Sequence, residues 1–349
     1  MRSYRAANVF INLDALKHNF QQVKIWAPNS YIMPVIKSNA YGHGILQVAE
    51  TLTQADGFAV AQISEAQVLR DNGIKKPIAI LQGFSNISQL NDIIKQELRP
   101  VISQHWQLDL LESLMQNLPI DIWVKINTGM GRLGFSLSDA PLIFQRLEKI
   151  KFINKLGLMM HFANADEPQH ISNQKQIEHF VDLSKQVCFE TSASNSAAII
   201  SGLLTEQDWV RPGIMLYGAS PIQGKAASEL QLKPVMRLTA ELIALNQLKQ
   251  GQTVGYGDVW VCPENMLIGI VNIGYGDGYP RHAHAAPIAV NGQRCKTIGR
   301  VSMDSIAVDL RGIQAQCGDM VECWGEKIAV DEVAACADTI AYELLCNVG

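Results

Sequence analysis

The amino-acid sequence predicts an α/β protein in which a (β/α)8 TIM barrel precedes a C-terminal mostly-β domain. Eight short apolar runs alternate with amphipathic stretches between residues 31 and 211, and eight βα units close naturally into such a barrel. After about residue 222 the alternation stops, and long β-rich stretches follow. A doubly wound open sheet is the alternative. The count of eight and the lack of a G-x-G-x-x-G turn disfavour it.

The predicted barrel strands are short apolar runs with helical stretches between them. They span 31–37, 57–61, 77–81, 99–102, 121–126, 156–161, 188–192 and 208–211. One helix runs from Ser64, the predicted N-cap, to Gly73, the predicted stop. Another covers 171–187, where apolar residues such as Ile177 and Phe180 recur at roughly helical spacing.

The C-terminal third is predicted to be mostly β. Its apolar stretches span 236–247, 266–274, 286–310 and 319–325. Asn291-Gly292 is a hairpin signal, because both residues tolerate the positive φ of a two-residue turn. The predicted domain boundaries are 1–13 for an N-terminal strand packing with the β-domain, 14–228 for the barrel and 229–349 for the β-domain.

Charge and composition exclude several classes of function. The chain has 349 residues and a formal net charge of -4, with no block of basic residues. Nucleic-acid binding and a polybasic membrane patch therefore lack their electrostatic basis. No apolar stretch approaches the ~20 residues that span a bilayer, and segment 8–13 is too short and polar for a signal peptide. The seven cysteines form no C-x-x-C pair, which predicts a cytoplasmic protein with reduced thiols and no metal site.

Lys37 ends the first predicted strand and opens a loop rich in small residues, 38–44. Burial favours a neutral amine, and a neutral lysine amine is a nucleophile that forms Schiff bases. The alternative is a lysine whose stem packs on the strand while its ammonium group reaches water. The residues at the other strand ends decide between these two explanations.

Polar side chains stand at the ends of four other predicted strands, where a TIM barrel has its active site. They are Lys125 on the fifth strand, Arg132 in the loop after it, His161 ending the sixth, Asn195-Ser196 after the seventh and Arg211 ending the eighth. Each has a structural explanation by itself, such as a hydrogen-bonded core histidine for His161 or a helix cap for Ser196. Their shared location predicts a catalytic site instead.

The loops after strands seven and eight form the usual phosphate site of this fold. Here they contain Asn195-Ser196 at a helix start and Gly213-Ile214. Backbone N–H groups and a glycine that admits close approach suit a phosphate dianion. A Schiff-base lysine and a phosphate site at one barrel mouth predict pyridoxal 5'-phosphate as the cofactor. An aldolase that forms its Schiff base directly with a sugar phosphate is the alternative at this point.

Nine motifs, in order along the chain, resemble the alanine racemase family, which combines a TIM barrel binding pyridoxal phosphate with a C-terminal β-domain. They are VIKSNAYGHG (35–44), VKINTGMGRLGF (124–135), MMHFANAD (159–166), SNSAA (194–198), RPGIMLYG (211–218), VGYGDVW (254–260), IGYGDGYPR (273–281), GRVSMD (299–304) and AYELLC (341–346). The resemblance covers nearly the whole chain. It implies an isomerase that interconverts L-alanine and D-alanine, supplying D-alanine for peptidoglycan.

The resemblance also implies the roles of individual residues. Lys37 would hold the cofactor as an aldimine and act as the base for D-alanine, with Tyr256 the base for L-alanine. The implied cofactor-binding residues are Lys37, Tyr41, His161, Asn195, Ser196, Arg211, Gly213, Ile214 and Tyr342. Arg132 and Met303 would receive the substrate carboxylate, and Lys125 matches a lysine that is often carbamylated. The residues implied to line the substrate entrance are Asp166, Tyr275, Arg281, Arg300 and Ile340.

In this family the second base and the methionine come from the β-domain of the other subunit, which implies a homodimer with shared active sites. A free tyrosine has a pKa of about 10. Tyr256 therefore needs nearby positive charge or hydrogen bonding, which we assign to His161 and Arg211.

Three related functions are weighed against this one. A decarboxylase of basic amino acids on the same architecture would have an acid at the ring nitrogen, where the resemblance puts Arg211, and no equivalent of Tyr256. A non-catalytic pyridoxal-phosphate carrier resembles the barrel alone. A racemase of broader amino-acid specificity stays open.

Overall fold

The strands of the protein fall into two sheets within residues 7–114 and 118–348, which the computed structural model describes. Numbered along the chain, the strands are Asn8–Ile11 (β1), Tyr31–Ile32 (β2), Phe58–Val60 (β3), Ile78–Ile80 (β4), Arg99–Ile102 (β5), Ile120–Lys125 (β6), Ile153–Met159 (β7), Glu190–Asn195 (β8), Trp209–Arg211 (β9), Met236–Leu248 (β10), Met266–Val271 (β11), Pro287–Val290 (β12), Gln293–Ile298 (β13), Ile306–Asp309 (β14) and Met320–Trp324 (β15).

Helices separate most of the strands in the first sheet. They are Leu13–Trp26 (α1), Lys37–Tyr41 (α2), Ile45–Thr51 (α3), Ile63–Asp71 (α4), Ile87–Lys95 (α5), His105–Glu112 (α6), Ala140–Glu148 (α7), Ile171–Ser184 (α8) and Ser196–Ile200 (α9), followed near the C-terminus by Val330–Cys336 (α10) and Ala341–Val348 (α11). Across the two described ranges, no helix has both the length and the apolar character needed to cross a membrane.

The first sheet is a closed parallel barrel, which confirms the predicted fold class. Its strand order is β2-β9-β8-β7-β6-β5-β4-β3. A parallel bridge between Val35 and Ala59 joins the two ends of that order. Strands β3 and β4 are buried throughout, because helices cover the outer face of a parallel sheet while the barrel interior covers the other.

The second sheet is antiparallel and closes around the long strand β10. This strand pairs with β1, β11 and β15, and the order β11-β14-β13-β12-β15 leads back to it. Asn291 and Gly292 join β12 to β13 with φ values of 49° and 77°, so the predicted hairpin turn is confirmed. Strand β1 adds the N-terminal segment to this sheet, and residues 1–6 of the predicted segment 1–13 lie outside the described residues.

Several predicted elements end earlier in the structure, among them the first barrel strand and helix α8. The strand predicted over 31–37 is regular only in β2, because Pro34 has no N–H group to donate to a neighbour. Lys37 therefore follows the strand instead of ending it. Helix α8 ends at Ser184 and not at residue 187, where the Gln186 N–H group turns to the nearer carbonyl of Leu183.

The start of helix α4 also differs from the prediction. Gln62 is the N-cap and Ile63 the first helical residue, so Ser64 is not the cap. The Glu65 carboxylate fixes this start, because it accepts hydrogen bonds from the backbone N–H groups of Ala61 at 2.8 Å and Gln62 at 3.1 Å.

An ion pair crosses the barrel at the amino-terminal end of its strands. Arg99 begins β5 and pairs at 2.7 Å with Glu190, which begins the non-adjacent strand β8. The Arg99 side chain is buried, and its guanidinium lies 4.0 Å from the centre of the Trp123 ring. Burial lowers the pKa of Arg99, and the charge of Glu190 opposes that shift. The pair therefore compensates for a cation placed in the barrel interior.

Replacing Glu190 by alanine is expected to lower the free energy of unfolding by about 3–5 kcal/mol, because a buried guanidinium loses its counter-charge. Urea denaturation followed by tryptophan fluorescence measures the loss. Glu112→Ala is the matched control: Glu112 pairs at 2.7 Å with the partly exposed Arg146 on the surface, and its loss is expected to cost less than about 1 kcal/mol. Equal losses in the two variants would contradict the proposed dependence of Arg99 on Glu190.

Candidate active site

A cavity of about 430 Å³ opens at the carboxyl-terminal end of the barrel strands. Eleven of the predicted site residues line it, together with Val35, Ala61, Leu81, Gln82, Leu133 and Met159. The predicted ones are Lys37, Tyr41, Lys125, Arg132, His161, Asn195, Ser196, Arg211, Gly213, Ile214 and Tyr342. The structure therefore brings the strand-end residues together, at the end where barrel enzymes have their active sites.

A turn of left-handed helix follows Lys37. Ser38, Asn39, Ala40 and Tyr41 have φ values of 54°, 53°, 55° and 52°, although none is glycine. This conformation costs roughly 1–2 kcal/mol per residue for L-amino acids. Backbone strain of this kind persists only where surrounding contacts enforce it, and it concentrates at functional sites.

Long-range and local hydrogen bonds hold the left-handed turn. The backbone N–H group of Ser38 donates to Glu65 Oε1 at 2.5 Å, and Asn39 Oδ1 accepts from the N–H group of Ile45 at 2.9 Å. The buried His43 ring places Nδ1 at 2.8 Å from the carbonyl of Tyr41. Burial lowers the pKa of His43 to about 4, so His43 is neutral and its Nδ1–H group donates to that carbonyl. These contacts fix the backbone on which Lys37 and Tyr41 stand.

Positive charge dominates the cavity. Lys37, Lys125, Arg132 and Arg211 line it, and no Asp or Glu is among its described lining residues. Burial, and next the charge of Arg132, lower the pKa of Lys37, while Glu65 and Cys346 oppose the shift. Burial, followed by Arg211 and Arg132, lowers the pKa of Lys125 to about 8. Both lysines therefore have amines that lose a proton more readily than a free lysine.

Arg211 is buried and held by three acceptors. It donates to Ser192 Oγ at 2.5 Å, to the carbonyl of Met160 at 2.7 Å and to that of Ala193 at 3.2 Å. Its guanidinium also lies 3.4 Å from His161 Nδ1. Burial lowers the pKa of Arg211 to about 10, so it remains a cation at neutral pH.

His161 is neutral beside this arginine. Burial, followed by the charges of Arg211 and Lys125, holds the pKa of His161 well below its usual value. Of the two kinds of help predicted for Tyr256, positive charge or hydrogen bonding, a neutral His161 could supply only hydrogen bonding. The cations that act on His161 after burial are Arg211, Lys125, Arg132 and Lys37. His161 Nε2 instead lies 3.5 Å from Asn195 Nδ2.

Hydroxyl and backbone N–H groups lie close together at the carboxyl-terminal ends of strands β8 and β9. Ser196 Oγ accepts from the N–H group of Gly213 at 2.7 Å. A Cβ atom on Gly213 would lie 2.8 Å from Tyr41 Oη, so only glycine fits there. The Tyr41 ring also lies 5.9 Å from that of Tyr342. Helix α9 has only five residues, so these hydroxyl and N–H groups, rather than a long helix dipole, are the polar groups presented at this end of the barrel.

Two predicted residues of the β-domain lie away from the cavity of their own chain. Tyr256 is 67% exposed on a 3-10 turn between β10 and β11, and Met303 is 53% exposed between β13 and β14. Neither lines the cavity that contains Lys37 within the described residues.

The predicted entrance residues lie on both domains. Asp166 follows β7 and contributes to raising the pKa of Tyr342 to about 12, after the larger effect of burial. Arg281 lies 5.9 Å from the centre of the Tyr275 ring, and both line a second cavity of about 380 Å³ beside α11. The remaining two are Arg300, whose guanidinium packs against Gly257, and the exposed Ile340.

Sequence reasoning missed Ser192 and Gln176. Ser192 accepts a hydrogen bond from Arg211. The unusually polar composition of the strand Glu190–Asn195 could have pointed to it, and the structure shows that its serines are buried. Gln176 carried no local signal, because its partners lie far away in sequence.

Models of one family match nearly the whole chain. The alanine racemase N-terminal domain matches residues 11–221, and the alanine racemase C-terminal domain matches residues 235–349. An alanine racemase of Coxiella burnetii is 45% identical over 350 residues, covering 98% of this chain and 96% of the relative. An alanine racemase of Thioalkalivibrio sulfidiphilus is also 45% identical, covering 99% and 97%.

Solved structures of alanine racemases superpose on this one throughout. The biosynthetic alanine racemase of Pseudomonas aeruginosa has a TM-score of 0.96 and 40% identity, covering 99% of this chain and 97% of its own. The enzyme of Acinetobacter baumannii has a TM-score of 0.93 and 39% identity, covering 99% and 98%. This chain therefore belongs to the alanine racemase family.

Proposed function

We propose that this protein is an alanine racemase that interconverts L-alanine and D-alanine with pyridoxal 5'-phosphate, by two bases on opposite faces of the substrate. The single observation that carries the proposal is the polar lining of the barrel cavity. A reactive amine at Lys37 shares that cavity with Arg211 and Arg132, and no carboxylate is among the described lining residues.

The cavity residues fit the cofactor by their chemistry. The residues that would hold its phosphate through hydroxyl groups are Tyr41, Ser196 and Tyr342, and those that would offer backbone N–H groups are Gly213 and Ile214. Glycine at position 213 keeps the space beside Tyr41 Oη open, because a Cβ atom there would lie only 2.8 Å from that oxygen. Lys37 would hold the aldehyde carbon through its amine, and Arg211 would donate an N–H group to the ring nitrogen.

When bound, pyridoxal phosphate supplies an electron sink for the substrate Cα. Lys37 then holds and moves a proton on one face of the substrate, and we assign it the proton of D-alanine. Its lowered pKa suits this task, because a base works best when its pKa lies near the operating pH.

Arg211 sets the strength of that sink. An arginine cannot accept a proton, so it leaves the ring nitrogen unprotonated. This weaker sink raises the barrier to proton removal, by ~1.4 kcal/mol for each tenfold loss in rate. In return, fewer substrate molecules are diverted to transamination. A basic amino-acid decarboxylase would place an acid here, and the buried Arg211 argues against that alternative.

Tyr256 is the second base, and we propose that it comes from the partner in a homodimer. Its exposure on its own chain supports this, because a catalytic phenol in water would not be oriented by its surroundings. Met303 has the same exposed placement, and we propose that its backbone joins Arg132 in holding the substrate carboxylate.

Lys125 stands behind Arg132 in this proposal as a carbamylation site. Its pKa of about 8 leaves part of the amine neutral at physiological pH. A neutral amine attacks carbon dioxide, forms a C–N bond and releases a proton. The product carries a negative charge, which would steady the Arg132 guanidinium.

The cellular setting is part of the proposal. The chain has seven cysteines, and all seven lie in the described ranges as free thiols, which favours the reducing cytoplasm. We propose that D-alanine made there enters peptidoglycan.

Chiral chromatography of L-alanine, L-serine and L-lysine, each incubated with purified protein and pyridoxal phosphate, tests the function. We expect D-alanine to accumulate to an equal mixture and the other two substrates to convert more slowly. Comparable conversion of all three would establish the broad-specificity alternative. Decarboxylation products without D-alanine would contradict the proposal.

A further inference from the structure

Helix α8 buries an amide that joins two loops of the active site. The Gln176 side chain is 1% exposed. Its Oε1 atom accepts from the N–H group of Ala163 at 3.0 Å. Its Nε2 atom donates to Thr128 Oγ1 at 3.1 Å and to the carbonyl of His161 at 3.0 Å. One side chain therefore links the loop after β6 to the loop after β7.

Both loops carry proposed site residues. The loop after β6, residues 126–134, carries Arg132, whose own side chain is exposed at the cavity. The position of that guanidinium therefore depends on the loop backbone. The loop after β7 begins at the barrel with Met160 and His161, which surround Arg211.

The bonds within the first loop shape its turn, and further ties to the surrounding structure converge on Thr128. The Thr128 hydroxyl donates to Met160 Sδ at 3.4 Å, and the Thr128 carbonyl lies 3.3 Å from His179 Nδ1 on helix α8. Asn127 Oδ1 accepts from the N–H groups of Gly129 at 3.2 Å and Gly131 at 2.9 Å, which shapes the turn alone. Gly129 has a φ of 151°, and a Cβ atom there would lie 3.2 Å from Gln176 Cγ. The loop thus packs directly on the Gln176 side chain.

We propose that Gln176 is a positioning residue for the reaction: it holds the loop that presents Arg132 and so sets the affinity for the substrate carboxylate. This inference rests on the proposed function of Arg132. An apolar side chain of similar size would fill the same space without joining the loops. The buried amide therefore fixes the positions of the loops as well as filling space, because each of its hydrogen bonds holds one loop atom.

Two variants at this position separate bonding from volume. Gln176→Met keeps the approximate size and removes all three hydrogen bonds. Gln176→Glu keeps the acceptor for Ala163 and lets the Thr128 hydroxyl donate to it, but loses the bond to the carbonyl of His161. The matched control is Gln174→Met on the exposed face of the same helix, where the side chain donates to Glu178 at 2.9 Å.

Steady-state kinetics of the holoenzyme in both directions give the first readout. We expect Gln176→Met to raise KM about 10-fold for both enantiomers, since they share the carboxylate, with kcat changed less than about threefold. Gln176→Glu should have a KM between those of Gln176→Met and wild type. The absorbance of bound pyridoxal phosphate should stay unchanged in both variants. A purely structural role would lower the melting temperature and leave KM unaltered, which would overturn the proposal.

Hydrogen–deuterium exchange gives a second readout that does not need turnover. Amides of residues 126–134 and 161–166 should exchange at least about 10-fold faster in Gln176→Met than in wild type or Gln174→Met. Unchanged exchange overturns the role of Gln176 whether or not alanine is racemised. Absence of racemisation by wild type, with faster loop exchange in the variant, would instead refute the proposed function and retain the positioning role of Gln176.

Discussion

Lys37→Ala is expected to abolish both racemisation and the long-wavelength absorbance of covalently held pyridoxal phosphate. The loss of rate should exceed about 10³-fold, because one side chain provides both the attachment point and one of the two bases. Absorbance spectra of purified protein, before and after dialysis with the cofactor, measure the first effect, and chiral chromatography measures the second.

Lys125→Ala is the matched comparison for the spectrum, because Lys125 is the other amine of the cavity with a lowered pKa. It should retain the absorbance that Lys37→Ala loses. The left-handed turn after Lys37 supports this assignment, since its strain and its contact with Glu65 fix the backbone at that residue. Retained absorbance in Lys37→Ala and its loss in Lys125→Ala would reverse the assignment.

Tyr256→Phe is expected to stop proton exchange at the Cα atom of L-alanine while D-alanine continues to exchange through Lys37. Net racemisation must fall equally in both directions, because the two enantiomers have equal free energy. The informative measurement is therefore deuterium incorporation from D2O, followed by NMR for each enantiomer separately. We expect L-alanine exchange to fall by about 10³-fold or more.

Tyr31→Phe serves as the control, since Tyr31 is also exposed but lies on β2 against Trp209, away from the cavity. It should exchange both enantiomers as wild type does. Equal, small losses for the two enantiomers in Tyr256→Phe would contradict the two-base proposal.

Mixing the two inactive variants tests whether the sites are shared between subunits. A heterodimer of Lys37→Ala and Tyr256→Phe has one site with both intact residues if each site combines two chains. Some activity should therefore return after the variants are unfolded and refolded together with the cofactor. Failure to recover activity in a heterodimer verified by native mass spectrometry would count against a shared site.

Much of the site was predictable because chemistry in a TIM barrel collects at one end of the strands. Lys37, Lys125, His161 and Arg211 were predicted at the ends of the first, fifth, sixth and eighth barrel strands, and that position alone predicted that they share one cavity. The sequence did not reveal the left-handed turn, because Ser38 to Tyr41 contain no glycine. It also gave no sign that His161 would be neutral, since its lowered pKa depends on burial and then on cations that other parts of the barrel bring close to it.

The sequence by itself determined the barrel, the β-domain with its Asn291-Gly292 hairpin, and the strand-end residues, because periodicity and turn chemistry are local properties. The tertiary structure alone decided which distant groups meet. Gln176 reaches Thr128 across 48 positions of sequence, and Arg99 finds Glu190 on a strand that is not its neighbour. Contacts of this kind depend on how the barrel closes. The residues that neighbour each partner in the sequence carry no pattern that would predict them.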